Sequence, residues 1–131
     1  MRRLLLDTNA YARLAEGEKA LIDVLGDADE VFVSVFVLGE LYAGFKGGRY
    51  EKKNREGLRA FLGSPTVKLL FATDETAESF AAVKDALRRQ GTPIPITDVW
   101  IAAHALEVGA TLVTYDAHFD HVKGLRRWPG G

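Results

Sequence analysis

Asp7, Glu40, Asp98 and Asp116 are carboxylates set into apolar surroundings with no base beside them to relieve their charge. Asp7 closes the run Leu4-Leu5-Leu6, and Glu40 lies inside Val35–Phe45. Asp98 opens the stretch Val99–Leu106, and Asp116 follows Thr111-Leu112-Val113-Thr114. An unpaired charge taken out of water costs on the order of several kcal/mol. Four such acids brought together repel one another unless a cation holds them. The chain has no cysteine, and carboxylate oxygens select hard ions, so the expected cofactor is Mg2+ or Mn2+ rather than Zn2+. A cation held in this way lowers the pKa of a bound water and neutralises charge on a phosphate, which suits phosphodiester hydrolysis without a side-chain nucleophile.

Each acid also has a purely structural reading. Asp98 in a first helical turn meets the positive end of a helix dipole. Asp7 reads as the cap of the helix after the first strand, and Asp116 as a turn former. Glu40 is the hardest to explain this way, because its neighbours on the helix face, Phe36, Val37, Ala43 and Gly44, include no base for an ion pair. The number of acids in such positions, more than any one of them, favours a site. Thr8, Asn9, Ser34 and Thr114 stand where side-chain hydrogen bonds would orient the acids, although each is also an ordinary cap or turn residue. His104, His118 and His121 form no zinc pattern and read as exposed or hydrogen-bonded structural residues. Gly47-Gly48 lacks the Lys-Ser/Thr context of a phosphate-cradling loop.

The elements that hold these side chains alternate between strand and helix. Arg3–Leu6 reads as a short strand apolar on both faces, as a central parallel strand should be. Ala10–Asp27 is helical with a break near Gly17, and Val31–Val33 is a second buried strand. Ser34 offers a capping hydroxyl for a helix to about Phe45. A basic helix over about Arg49–Leu62 follows Gly47-Gly48, then a strand over Val67–Phe71. Thr73 or Asp74 caps a long amphipathic helix that ends near Gln90-Gly91. The prolines of Thr92–Ile96 hold that segment extended. Thr97 is then the expected cap of a helix over Asp98–Glu107, which Gly109 terminates. Thr111–Thr114 is a fourth strand, Ala117–His121 a turn or short helix, and Leu125–Trp128 an edge strand. Pro129-Gly130-Gly131 reads as a loose tail. This order predicts one α/β domain over residues 1–131, with a mainly parallel sheet of four to five strands.

A length of 131 residues, with 47% hydrophobic and 27% charged side chains, is that of a soluble globular domain with a real core. The absence of cysteine fits a reducing compartment. The apolar run after Met1-Arg2-Arg3 stops at Asp7, too short for a secretion signal, and no stretch approaches a membrane span. The expected location is the cytoplasm. Net charge is −1, so the whole molecule does not announce a nucleic-acid binder. Between Lys46 and Arg59, however, six bases (Lys46, Arg49, Lys52, Lys53, Arg55, Arg59) face two acids (Glu51, Glu56). Lys46, Arg49, Lys52 and Lys53 are therefore candidate phosphate contacts, with a plain solvated helix face as the alternative.

Four motifs occur in sequence order: Leu6-Asp7-Thr8-Asn9; Glu40-Leu41 with Gly44; Asp98-Val99-Trp100-Ile101-Ala102-Ala103; and Leu112-Val113-Thr114-Tyr115-Asp116-Ala117-His118-Phe119. Together they resemble the successive motifs of PIN-domain ribonucleases, above all the VapC-like toxins of toxin–antitoxin pairs. The resemblance spans nearly the whole chain. It implies a three-layer sandwich of a mainly parallel sheet flanked by helices, and an endoribonuclease dependent on Mg2+ or Mn2+. It also implies that Asp7, Glu40 and Asp98 hold the metal, with Asp116 as fourth acid and Asp120 as a supporter. Asn9 and Thr114 would be structural members or hydrogen-bond partners of the acids. The implied partners are RNA, a second copy of the chain and a small antitoxin laid over the helices containing Val35–Phe45 and Arg49–Leu62. The apolar residues Phe36, Leu38, Tyr42 and Phe45 exceed one core-facing stripe, which is compatible with such a partner surface. Core packing is the alternative for half of them.

Two rival functions are weighed against this. A phosphatase with Asp7 as nucleophile would ordinarily carry a second acid two residues on, where this chain has Asn9. A non-catalytic PIN-like module that binds RNA or protein would ordinarily have lost a site acid, and all four are present.

Overall fold

A computed structural model describes residues 1–130. Gly131, the end of the expected tail, lies outside the described residues. Five strands, β1 (Arg3–Leu6), β2 (Glu30–Ser34), β3 (Val67–Leu70), β4 (Thr111–Val113) and β5 (Arg127–Trp128), form one sheet in the order β3-β2-β1-β4-β5. Every neighbouring pair is parallel. The helices are α1 (Thr8–Ala15), α2 (Lys19–Gly26), α3 (Val35–Phe45), α4 (Glu51–Leu62), α5 (Asp74–Gln90) and α6 (Ile96–Val108), with a 3-10 turn over Ala117–His121. The chain steps one way from β1 to β3 and then returns across the sheet to β4. Helices connect these parallel strands in both directions, and the usual right-handed crossover of such connections puts them on both faces of the sheet. The expected α/β architecture is therefore the one observed.

β1 sits at the centre because Leu4, Leu5 and Leu6 are all buried, which suits a strand covered on both sides. Burying each leucine contributes about 1.5–3 kcal/mol before entropy is counted. α1 and α2 meet at Gly17, whose φ of 87° a residue with a side chain adopts only at a cost. Ser34 ends β2 and starts α3, its hydroxyl accepting from the Phe36 amide at 3.1 Å. Thr73 caps α5 reciprocally with Thr76.

Several boundaries differ from the sequence reading: α1 starts at Thr8 rather than Ala10, β2 extends to Glu30 and Ser34, β4 ends at Val113, and the edge strand β5 covers only Arg127–Trp128 of the expected Leu125–Trp128. α6 begins at Ile96, two residues earlier than a Thr97 cap allows, and Pro95 holds its N-cap position without a side-chain bond. Thr97 lies inside the helix because the fixed φ of Pro95 already directs the chain into it. α4 starts at Glu51 rather than Arg49, and β3 ends at Leu70, which leaves Phe71 exposed.

Candidate active site

The sheet order places the change of winding direction between β1 and β4, and open parallel sheets gather function at such a point, beyond the carboxyl ends of the strands. Register does the rest. Leu6 pairs with Val113, so Asp7 and Thr114 are the next residues on each strand. The Asp7 amide donates to the Val113 carbonyl at 3.2 Å, and the Thr114 hydroxyl donates to Asp7 Oδ2. Asp7 Oδ1 accepts from the Ala10 amide at 2.8 Å, capping α1. Capping and site placement are thus one arrangement, with one carboxylate oxygen held by a backbone amide of α1 and the other by the side-chain hydroxyl that follows β4.

Thr114 continues the network outward. Its oxygen accepts from the Asp116 amide at 3.0 Å. Asp116 caps the 3-10 turn by accepting from the His118 amide at 2.9 Å. That turn brings His118 Nδ1 to 3.1 Å from both Asp98 Oδ2 and Asp116 Oδ1. Asp98, Asp116 and His118 each offer a ligand atom, and all three atoms lie within 4.8 Å of one another. Asp98 stands in the first turn of α6, whose remaining length is packed into the core through Ile101, Ala102, Ala103 and Ala105. Glu40, in the second turn of α3, accepts from the Thr8 hydroxyl, and Thr8 follows Asp7 directly. Asp7 at the cap of α1, Glu40 on α3, Asp98 on α6 and Asp116 in the loop after β4 thus gather at this end of the sheet, but among the described residues only Asp98 and Asp116, with His118, bring ligand atoms into one compact group.

Their burial is graded, not uniform as the apolar runs around them suggested. Asp7 is buried, Asp98 and Asp116 are partly covered, and Glu40 is exposed. Glu40 escapes the core because Val37 and Leu41 make the inward stripe of α3, leaving its own position on the rim. Burial pushes the Asp7 carboxyl above the usual aspartate range, and the charges of Asp116 and Asp98 add to this; the bonds from Thr114 and Ala10 oppose it. Asp98 is likewise raised, first by burial and then by Asp116 and Glu40, against the lowering effect of His118. Asp116, Asp98 and Glu40 thus each disfavour ionisation of Asp7 or Asp98, which is the electrostatic condition a divalent cation relieves.

The other candidates separate. Asn9 is exposed and gives the acids no hydrogen bond among the described residues. Ser34 serves His104 instead of an acid: its oxygen lies 2.8 Å from Nδ1, while Nε2 lies 3.3 Å from the Phe71 carbonyl. Since that carbonyl only accepts, Nε2 carries the proton and Ser34 donates to Nδ1. Burial lowers the pKa of His104, consistent with a neutral structural ring. Asp120 pairs with Arg127 and does not join the compact group of Asp98, Asp116 and His118. Lys46, Arg49, Lys52 and Lys53 are exposed around the start of α4, and Arg49 stacks over Tyr50 at 5.5 Å. On α3, Phe36, Leu38, Tyr42 and Phe45 are each half-buried, and Phe36 stacks on Trp100 with centroids 4.8 Å apart.

His118, which the sequence reads only as an exposed or hydrogen-bonded residue, is exposed and does form a hydrogen bond, but to a site acid. The one signal for it was its spacing, two residues after an acid that caps a tight turn. Its presence also means the acids are not without a neighbouring base.

Fold and cluster together define an α/β domain with a carboxylate centre at the switch point of a parallel sheet. The chain belongs to the PIN-domain family, whose model matches residues 4–125. Ribonuclease VapC1 of Haemophilus influenzae (strain R2866) is 30% identical over 129 residues, spanning 93% of each chain. The DNA-bound VapBC structure from Salmonella typhimurium superposes with a TM-score of 0.85 at 23% identity, covering 97% of each chain. VapBC-5 of Mycobacterium tuberculosis, a member of the VapBC family of toxin–antitoxin systems, gives a TM-score of 0.73 at 23% identity over 96% of this chain and 94% of that one. Likenesses at this identity establish the shared fold. Among the described residues no helix is long and apolar enough to cross a membrane.

Proposed function

We propose that this protein is an endoribonuclease, the toxin of a toxin–antitoxin pair, working with Mg2+ or Mn2+ held by Asp7, Glu40, Asp98 and Asp116. The observation that carries this reading is the convergence of four acids from separate elements onto one end of the sheet, in a chain whose PIN-domain relatives include ribonucleases named VapC. The donor set fits a hard cation: it is rich in carboxylate oxygen, the ligand atoms of Asp98, Asp116 and His118 lie within 4.8 Å of one another, and the neighbouring acids disfavour the charge of Asp7 and Asp98. When bound, such an ion supplies Lewis-acid activation of water and charge neutralisation at a phosphate.

The chain's own residues do the positioning. Thr114 and the Ala10 amide fix both oxygens of Asp7, so that acid is pre-oriented and poorly suited to attack as a nucleophile. This argues against the phosphatase reading. Thr8 steers the exposed Glu40 toward Asp7's end of the sheet. Asp116 and Asp98 are held at one spacing by the ring of His118. Lys46, Arg49, Lys52 and Lys53 would contact RNA phosphates, their exposure leaving them free to do so.

The antitoxin would cover α3 and α4, where half-buried Leu38, Tyr42 and Phe45 leave apolar surface at the rim. A homodimer and a cytoplasmic location belong to the same proposal. The test is cleavage of total RNA by purified protein with added Mg2+ or Mn2+. Wild type should cut and Asp98→Asn should lose roughly a hundredfold or more of the rate. Equal cleavage by the two proteins would remove the acids from the mechanism. Intact RNA in both, with metal bound, would favour the non-catalytic module.

A further inference from the structure

We propose that His118 is a nitrogen donor to the cation of this site and shifts its preference from Mg2+ toward Mn2+ and later transition metals. This rests on the reading of the acids as a metal centre. Three observations meet on the residue. Its Nδ1 lies 3.1 Å from an oxygen of Asp98 and 3.1 Å from an oxygen of Asp116. That spacing serves a hydrogen bond, and it serves equally for neighbouring ligands on one ion. Second, its ligand atom belongs to the compact trio with those two acids. Third, the ring is placed from below: Asp116 caps the turn through the His118 amide, and Phe119, next in the chain, is buried in the core. The backbone is thus anchored on both sides while the ring itself is 51% exposed. The ring therefore stands at the surface of the cluster on a backbone fixed from both sides.

The chemistry decides what this adds. Carboxylates alone favour hard ions that keep their waters, Mg2+ foremost. An imidazole nitrogen is a softer donor and favours Mn2+, Co2+ or Zn2+ over Mg2+ and Ca2+. His104 cannot play this part, because both its nitrogens are engaged by Ser34 and Phe71.

The experiment measures metal binding, not cleavage. Mn2+ is loaded into wild type, His118→Ala and His118→Gln, and pulsed electron paramagnetic resonance reads nitrogen coupled to the ion. Competition between Mg2+ and Mn2+ gives the ratio of dissociation constants for each protein. Wild type should show nitrogen coupling, and both variants should lose it. Their preference for Mn2+ should fall by about tenfold or more, the scale on which groups around a metal tune affinity. Gln keeps a hydrogen-bond donor but offers no ring nitrogen, so it separates ligation from a purely structural role. Bound Mn2+ without nitrogen coupling in wild type, or a wild-type ratio in His118→Gln, overturns the proposal and leaves the acid site standing. Failure of wild type to bind Mn2+ at all overturns the reading of the acids, and this inference with it.

Discussion

The hydroxyl of Thr114 donates to the buried carboxylate of Asp7 while its oxygen accepts the amide of Asp116. One side chain thereby ties the ends of β1 and β4 together and sets two of the four acids relative to each other. The link exists because Leu6 and Val113 are in register, so the residues that follow them meet.

Thr114→Val keeps the shape and β-branching of this residue but removes the donor. A hydrogen bond to a charged group contributes about 1.5–3 kcal/mol, so unfolding by urea at neutral pH should show a loss of that order. Thr114→Ser should recover most of it. A valine variant as stable as wild type would mean that the hydroxyl does not hold Asp7.

Acidity offers a second test. Asp98 has its pKa raised by burial, so the folded protein binds its proton more tightly than the unfolded chain does. The stability this contributes is fully present below the unfolded aspartate pKa, about 3.9, and is lost as pH rises through the raised folded value. In chelator, Asp98→Asn should therefore gain on wild type as pH rises through that window, the difference levelling off above it. Asp7 is raised for the same first reason and should follow the same sign. A difference that shrinks with rising pH would mean that Asp98 is stabilised as an anion in the free protein.

Much of this arrangement was legible before any coordinates. The all-apolar Leu4–Leu6 announced a central strand, and Ser34 and Thr73 announced helix starts because a hydroxyl before an apolar run has one economical use. Glu40 was misjudged as buried, since composition alone hid which side of α3 faces inward; the Val37–Leu41 stripe settles that only once the helix is docked. The start of α6 was misplaced because Thr97 is a good cap in isolation, whereas the geometry of Pro95 acts first. The place of His118 beside the acids is not legible for a deeper reason. Its role depends on a 3-10 turn and on Asp98, which arrives from a helix 20 residues earlier in the chain. Neither local propensity nor periodicity encodes that meeting.

The basic segment makes its own prediction. If Lys52 and Lys53 contact phosphates, replacing both by alanine should weaken RNA binding across sequences and flatten the dependence of log affinity on log salt by about one unit per lost contact. Filter binding over a range of salt concentrations measures this. An unchanged slope would leave the start of α4 as a solvated face.

The most direct measurement is a crystal grown with Mn2+ and an anomalous difference map at the manganese edge. The account requires a peak shared by Asp98 and Asp116, with Asp7 turned toward it, and no such peak in Asp98→Asn. A wild-type map without density among these carboxylates, at a manganese concentration that supports RNA cleavage, would contradict it.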